Sequence, residues 1–280
     1  MLTIDKNTIC TFFRNYTDAY NASDPKIKLK IDHTYRVADL AEQIALSEQM
    51  PQEDIELCWL MGMLHDIGRF EQIKRYGTFV DAKSIDHATF GADLLFQEGL
   101  IREIFPEECI RQKNVIDTNQ GKCQQSGTDL QCEELSLCET AIRNHSIYQL
   151  PLDLTERERA FCNVLRDADK IDILRVNLDT PMEVIYNTSA EVLKKESITP
   201  EVLQAFKENH AVLRSLKKTG IDNLVGHASM IFELVYHTSK KIVDEQGYLW
   251  KLLEYNSENQ ETRKKLLYMK EELENFIRCS

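Results

Sequence analysis

Apolar residues recur at helical spacing through most of the chain, and this pattern predicts a protein built from helices. Residues 4–20 place apolar and aromatic side chains on one side, and a stripe at i, i+3, i+4, i+7 and i+8 covers 37–45. A third helix is expected to begin near Pro51, to carry the apolar run 57–64, and to end at Gly68. Only ten glycines and six prolines occur in 280 residues, which also favours long helices over a turn-rich β fold.

The middle of the chain alternates between polar and periodic segments. Residues 71–83 are predicted to form a polar connection. After the segment 84–87, which contains His87, Ala88, Ala92 and Leu95 recur at helical spacing. A further helix is expected over 105–113. The stretch 114–129, rich in Asn, Gln, Gly and Thr, is predicted to be a long surface loop that could act as a lid.

Periodic segments continue to the end of the chain. One helix carries Cys138, Ala141, Ile142 and His145 on its inward face. Another begins at Thr155 with a capped start and carries apolar side chains as far as Asp169. Pro181 and Pro200 mark helix starts, and 258–277 is expected to be a charged terminal helix. We therefore expect an all-α helical bundle, with a core at 1–179 and a helical extension at 180–280 packed on it.

The charge balance limits the partners. A net charge of −12 argues against long nucleic acid, because phosphate backbones bind to basic surfaces. A small phosphate ester held by a metal and a few local cations is compatible with it. The composition, 42% hydrophobic and 29% charged, is that of an ordinary globular protein.

No segment near the N-terminus combines a basic region with an apolar core, so we expect no secretion signal. The apolar run before His65 is too short to cross a bilayer, so no membrane association is expected. Eight cysteines occur without a C-x-x-C pair, and those in apolar stripes, such as Cys58 and Cys138, are interpreted as reduced core thiols. The expected location is cytoplasmic.

Unusual polar residues interrupt the apolar faces of several predicted helices. A buried carboxylate is costly unless it is paired or binds a cation, and a divalent metal would satisfy imidazoles and carboxylates together. Four imidazoles and two carboxylates suit one or two first-row ions, Fe, Mn, Co, Ni or Zn. The candidate ligands are His33, His65, Asp66, His87, His145 and Asp169.

A single histidine on an apolar stripe is more often a hydrogen-bonded core residue than a metal ligand. His227 lies on such a stripe without a nearby carboxylate, and we interpret it as a core residue. His210 and His237 are interpreted as surface or structural residues. The metal hypothesis therefore depends on several such positions occurring together.

The order His33, then the pair His65-Asp66, then Asp169 resembles the HD-domain superfamily of metal-dependent phosphohydrolases. The resemblance includes Val-Ala-Asp-Leu-Ala at 37–41 and Asp-Ala-Asp-Lys-Ile at 167–171, and it covers roughly residues 30–175. It implies an all-α bundle in which the metal ligands converge from five helices.

Two further segments refine this resemblance. His87 in His-x-x-x-Gly-Ala-x-Leu-Leu and His145 in Ile-x-x-His-Ser look like the six-ligand subgroup that can hold two metals. A looser similarity is to symmetrical diadenosine tetraphosphate hydrolases, which lack the extension after residue 180. No Gly-Tyr-Pro segment follows His145, and Arg69-Phe-Glu-Gln replaces an acidic pair. Both features disfavour cyclic-dinucleotide phosphodiesterases and alarmone hydrolases, respectively.

The resemblance implies a role for each ligand. Asp66 would bridge two ions, one completed by His33, His65 and Asp169, and the other by His87 and His145. Arg69, Lys170 and, more weakly, Arg36 are candidate phosphate contacts; Arg69 could equally be a solvated cation and Lys170 a salt-bridge partner. Asp86 would either orient an imidazole or cap a helix.

We therefore expect a phosphohydrolase that uses metal-activated water on a small phosphate ester, such as a nucleotide or a dinucleotide polyphosphate. Phosphomonoesterase, phosphodiesterase and pyrophosphohydrolase activities all fit the ligand set. Two alternatives keep the same ligands, a mixed-valent di-iron oxygenase and a non-catalytic nucleotide-binding regulator. A homo-oligomer is compatible with the sequence.

Overall fold

A computed structural model describes residues 2–21, 23–106, 133–181, 185–186 and 188–279. Within these ranges all regular elements are helical and there is no strand, so the all-α prediction is confirmed. The residues separate into two compact units, Met1–Leu165 and Arg166–Ser280. The predicted helix over 105–113 and the predicted loop at 114–129 fall mostly or wholly outside the described residues.

The first unit contains the helices that carry the candidate ligands. Short 3-10 turns at Asp81–Lys83 and Leu100–Glu103 join some of them, and a π-helical turn at Asp93–Gln97 directly follows the helix His87–Ala92. The helices are α1 (Lys6–Asp18), α2 (Pro25–Ser47), α3 (Gln52–Leu64), α4 (Ile67–Tyr76), α5 (His87–Ala92), α6 (Glu133–Asn144) and the start of α7 (Glu156–Asp179).

Close packing of α2 against α3 forms the centre of this unit. Asp24 caps α2 by accepting a hydrogen bond from the Lys26 amide, and a proline occupies the first helical position. The α3 segment is buried on all sides from Leu57 to Leu64, as its continuous apolar run requires. A Cβ at Gly62 would lie 2.5 Å from the Cα of Ala38, so the glycine lets the two backbones approach.

The structure corrects the expected course of the chain after His65. Gly68 does not end a helix; it lies in the first turn of α4, and this helix continues to Tyr76, into the first part of the segment 71–83 that was expected to be a polar connection. A Cβ at Gly68 would lie 2.6 Å from the carbonyl oxygen of His87 and 2.8 Å from the amide nitrogen of Gly91. The glycine is therefore needed for contact between α4 and α5.

The second unit is also helical among its described residues. Helix α7 crosses the boundary between the units, which lies after Leu165. The division into a core at 1–179 and an extension at 180–280 stays a prediction. Pro200 opens a helix as predicted. The helices that follow α7 are α8 (Ala190–Lys195), α9 (Pro200–Lys207), α10 (Gly220–Ser229), α11 (His237–Gln246), α12 (Tyr248–Leu253) and α13 (Gln260–Cys279).

No helix in the described ranges has both the length and the apolar character needed to cross a membrane. Cys58 is a buried free thiol and Cys138 is also buried, as expected for core cysteines.

Candidate metal centre

Five of the six predicted ligands lie together in the first unit, each at a different place in the helical framework. His33 projects from the middle of α2, while His65 and Asp66 form the junction between α3 and α4. His87 opens α5, and His145 directly follows α6. All five side chains are buried, with residue exposures of 4% or less.

The carboxylate of Asp66 lies between two pairs of histidines. Its Oδ2 atom is 3.5 Å from Nε2 of both His33 and His65. Its Oδ1 atom is 3.5 Å from Nε2 of His87 and 3.8 Å from Nε2 of His145. Two triads of candidate ligands, one with each histidine pair, therefore share this carboxylate.

The tautomers of three histidines follow from their other contacts. Nδ1 of His65 lies 2.7 Å from the Gly62 carbonyl oxygen, and Nδ1 of His145 lies 2.7 Å from that of Ile142. A carbonyl oxygen only accepts hydrogen bonds, so each Nδ1 carries the proton. The same holds for His87, whose Nδ1 is 2.9 Å from the Asp81 carboxylate.

The tautomers decide whether the Nε2 atoms of these histidines could bind a metal ion. In the neutral rings Nε2 bears a lone pair, yet Nε2 of His87 and Nε2 of His145 face each other at 3.1 Å. Burial, followed by the nearby charge of Arg69, lowers the pKa of His87 to about 4, so this ring is neutral near pH 7. With His145 also neutral, two lone pairs would face and repel each other, whereas a cation bound to both Nε2 atoms would accept them. The donor set therefore fits a divalent metal ion.

Two cations flank Asp66, and only one of them, Arg69, was predicted from the sequence. Lys30 Nζ lies 2.6 Å from Asp66 Oδ2, and Arg69 Nε lies 3.6 Å from Oδ1. Burial alone would raise the pKa of Asp66, but the charge of Lys30, above all, brings it well below its usual value. Lys30 was missed, although it lies three residues before His33 and thus one turn away on the same face of α2.

Arg69 is held in place by the segment after α4. Its Nη1 donates to the Gln72 side chain, the Phe79 carbonyl and the Asp81 carboxylate at 2.8–2.9 Å. The Arg69 Nε atom is buried without a hydrogen-bond acceptor at bonding distance among the described residues. Arg69 therefore lies within the cluster of candidate metal ligands. It is not a solvated surface cation, which was the alternative interpretation of its sequence position.

The carboxylate that orients His87 is Asp81, not the predicted Asp86. Asp86 accepts a hydrogen bond from the Thr89 amide at 2.8 Å, so it has the capping role that was its alternative. Asp81 Oδ1 accepts from Gln72 at 2.9 Å, and the amide of Gln72 also donates to Ser84 and to a backbone carbonyl. Asp81 belongs to the segment 71–83, which was expected to be only a polar connection. Its sequence position therefore did not mark it as the carboxylate that orients His87.

The remaining candidates are placed as follows. Asp169 and Lys170 lie on α7 within the second unit, so the ligand role of Asp169 and the phosphate contact of Lys170 stay predictions. Burial lowers the pKa of Lys170 to about 8, with Arg166 adding to the effect. Arg36 is half-buried on α2, one turn after His33.

A family model described as the HD domain matches residues 31–176, just over half of the chain. The protein therefore belongs to the HD-domain family, as the motif order predicted. Neither curated proteins nor solved structures gave a significant match.

Members of this family are in general metal-dependent hydrolases that bind divalent ions. The buried histidines and Asp66 are groups that could hold such an ion. Family membership and the buried ligand set therefore both indicate that this cluster could bind a divalent metal ion.

Proposed function

We propose that the protein is a two-metal phosphohydrolase that acts on a small phosphate ester, most readily a nucleotide or a dinucleotide polyphosphate. One observation carries the proposal: each oxygen of Asp66 faces its own pair of histidines. Divalent ions held there would supply an acidified water and electrostatic stabilisation of the phosphoryl oxygens.

The protein's own groups have distinct parts in this proposal. Gly62 and Ile142 fix the histidine tautomers through their carbonyl oxygens, which leaves Nε2 of His65 and His145 available as ligands. Among the residues that the structure describes, Lys30 has one acceptor, Asp66, for three ammonium protons, and its side chain retains 15% exposure. It is therefore placed to donate to a phosphate oxygen. Arg69 contributes positive charge from the opposite side of Asp66.

The test combines metal analysis with a phosphoester panel. Protein purified without chelator is expected to contain two equivalents of a first-row metal and to release phosphate or nucleotide from at least one panel member. Asp66→Asn should lower this activity by roughly 100-fold or more, because it removes the shared anionic ligand. Asp32→Asn is a matched control, since Asp32 pairs only with Lys28 at the surface among the contacts observed.

Folding and chemistry are separated by parallel measurements. Circular dichroism and urea unfolding establish that Asp66→Asn remains folded, and oxygen consumption distinguishes hydrolysis from di-iron oxygenase chemistry. Full activity of a folded Asp66→Asn variant would refute the site assignment. Metal-loaded protein that consumes oxygen and leaves every phosphoester intact would refute the hydrolase.

A further inference from the structure

The two oxygens of Asp66 have unequal surroundings. On the Oδ2 side, Nζ of Lys30 lies 2.6 Å away, closer than Nε2 of His33 or of His65, each at 3.5 Å. On the Oδ1 side, the nearest cation among the described residues is Arg69, whose Nε lies 3.6 Å away. The oxygen that would bind a metal ion together with His33 and His65 is therefore the one that forms an ion pair with an ammonium group.

An ammonium group and a divalent ion beside the same oxygen repel each other. Asp66 is buried and the Lys30 side chain is only 15% exposed, so solvent and salt screen this repulsion weakly. A divalent ion has twice the charge of the ammonium and would bind two imidazoles as well as the carboxylate. The ammonium is therefore the group that should give way.

The Lys30 side chain can move where the candidate ligands cannot. His33 and His65 are fully buried. Lys30 carries its ammonium on a flexible four-carbon stem, and Asp66 is its one acceptor among the residues that the structure describes. Its Nζ also lies 5.9 Å from the ring centre of the half-buried Phe79, and an aromatic face attracts a cation. Lys30 can therefore leave Oδ2 and stay beside the centre.

We propose that Lys30 exchanges partners when a divalent ion binds on the side of His33 and His65, releasing Asp66 and donating instead to a phosphate oxygen of the substrate. The same ammonium then opposes metal binding and favours oxyanion binding. Its phosphate contact rests on the function proposed above, whereas its opposition to the metal does not.

The first test measures Mn²⁺ and inorganic phosphate separately by calorimetry, using Lys30→Met. This variant keeps the length and apolar stem but removes the charge. It should bind one of two Mn²⁺ ions about tenfold more tightly than the wild type, because the competing cation is gone. Inorganic phosphate should bind the Mn²⁺-loaded variant about tenfold more weakly, because a charged donor is lost.

Two further variants are controls. Lys28→Met makes the same change on the exposed face of α2, where Lys28 pairs with Asp32, so both affinities should stay at the wild-type value. Lys30→Arg keeps the positive charge and should lack the tighter Mn²⁺ binding. Circular dichroism and urea unfolding establish that each variant is folded.

Trace acetylation of the full-length wild type, read by peptide mass spectrometry, follows the exchange itself. Mn²⁺ alone should raise the acetylation rate of Lys30 relative to that of Lys28, because the amine loses its carboxylate partner. Inorganic phosphate added to the Mn²⁺-loaded protein should lower the rate again. A lysine that only stabilises the fold would show neither change.

The outcomes separate this proposal from the hydrolase assignment, because none of these measurements needs turnover. Unchanged or weaker Mn²⁺ binding by folded Lys30→Met would overturn the exchange, even in a protein that hydrolyses phosphoesters. Unchanged phosphate binding would overturn it as well. Opposite shifts in the two affinities would support the exchange even if every phosphoester in the panel stayed intact, a result that would count against the hydrolase alone.

Discussion

Replacing Asp81 by Asn tests whether the orientation of His87 controls metal binding. The Asp81 carboxylate accepts from three donors: Nδ1 of His87, Nη1 of Arg69 and Nε2 of Gln72, each at 2.9 Å. An asparagine has one accepting oxygen, so its amide group must face at least one of these donors. Alternatively, His87 changes tautomer, and its Nε2 then carries a proton and cannot bind a metal.

The expected magnitude follows from this loss. Removing a carboxylate that orients a ligating histidine typically costs 10- to 100-fold in metal affinity, or about 1.4–2.7 kcal/mol. We expect the loss on the side of His87 and His145, while the side of His33 and His65 keeps its affinity. Chelator competition and calorimetry, which give stoichiometry and Kd, should therefore show one weakened ion out of two.

Asp86→Asn is the matched control, because asparagine also caps helices and the Thr89 amide keeps an acceptor. It should bind metal as the wild type does. Two ions bound with wild-type affinity by folded Asp81→Asn would refute the role assigned to Asp81.

The other predictions concern folding. Gly68→Ala places a Cβ against the backbone of α5, so it should lower the free energy of unfolding, measured in urea, by about 1–3 kcal/mol or more. In Gly77→Ala the Cβ meets open space, and the positive φ alone should lower the free energy of unfolding by about 1–2 kcal/mol. His227→Gln tests pH dependence. Because the pKa of His227 is about 3 when folded and 6.5 when unfolded, the unfolded wild type binds the extra proton and loses stability as pH falls below 6.5, by about 2 kcal/mol at pH 5. The variant should lack this loss; identical slopes from pH 7 to pH 5 would contradict the assignment.

Helical periodicity is local, and the sequence alone therefore predicted much of the framework. The stripes that define α2, α6 and α7 follow from 3.6-residue repeats, which hold wherever a helix buries one face. Ligand candidates were found by the same reasoning, because a histidine or carboxylate on an apolar face needs a partner. More than 20 residues separate each of four ligand candidates from the next, namely His33, Asp66, His87 and His145. Each is nevertheless recognisable within its own segment, because it is a polar residue on or next to an apolar face.

Contacts between segments could not be obtained in this way. Gly68 signals a helix end by its local propensity, but in the fold it provides the close approach between α4 and α5. Asp81 and Asp86 are equivalent by composition, and only the path of the chain after α4 decides which one reaches His87.

Periodicity thus determined that this chain is helical and which polar side chains must turn inward. Tertiary structure decided which of them meet and through which atoms. Lys30 and Asp66 are 36 residues apart and form a 2.6 Å ion pair that no local pattern encodes. The same holds for Asp66 itself: the sequence identified it as a ligand, and the packing of α2, α3, α5 and α6 gave each of its oxygens a separate pair of histidines.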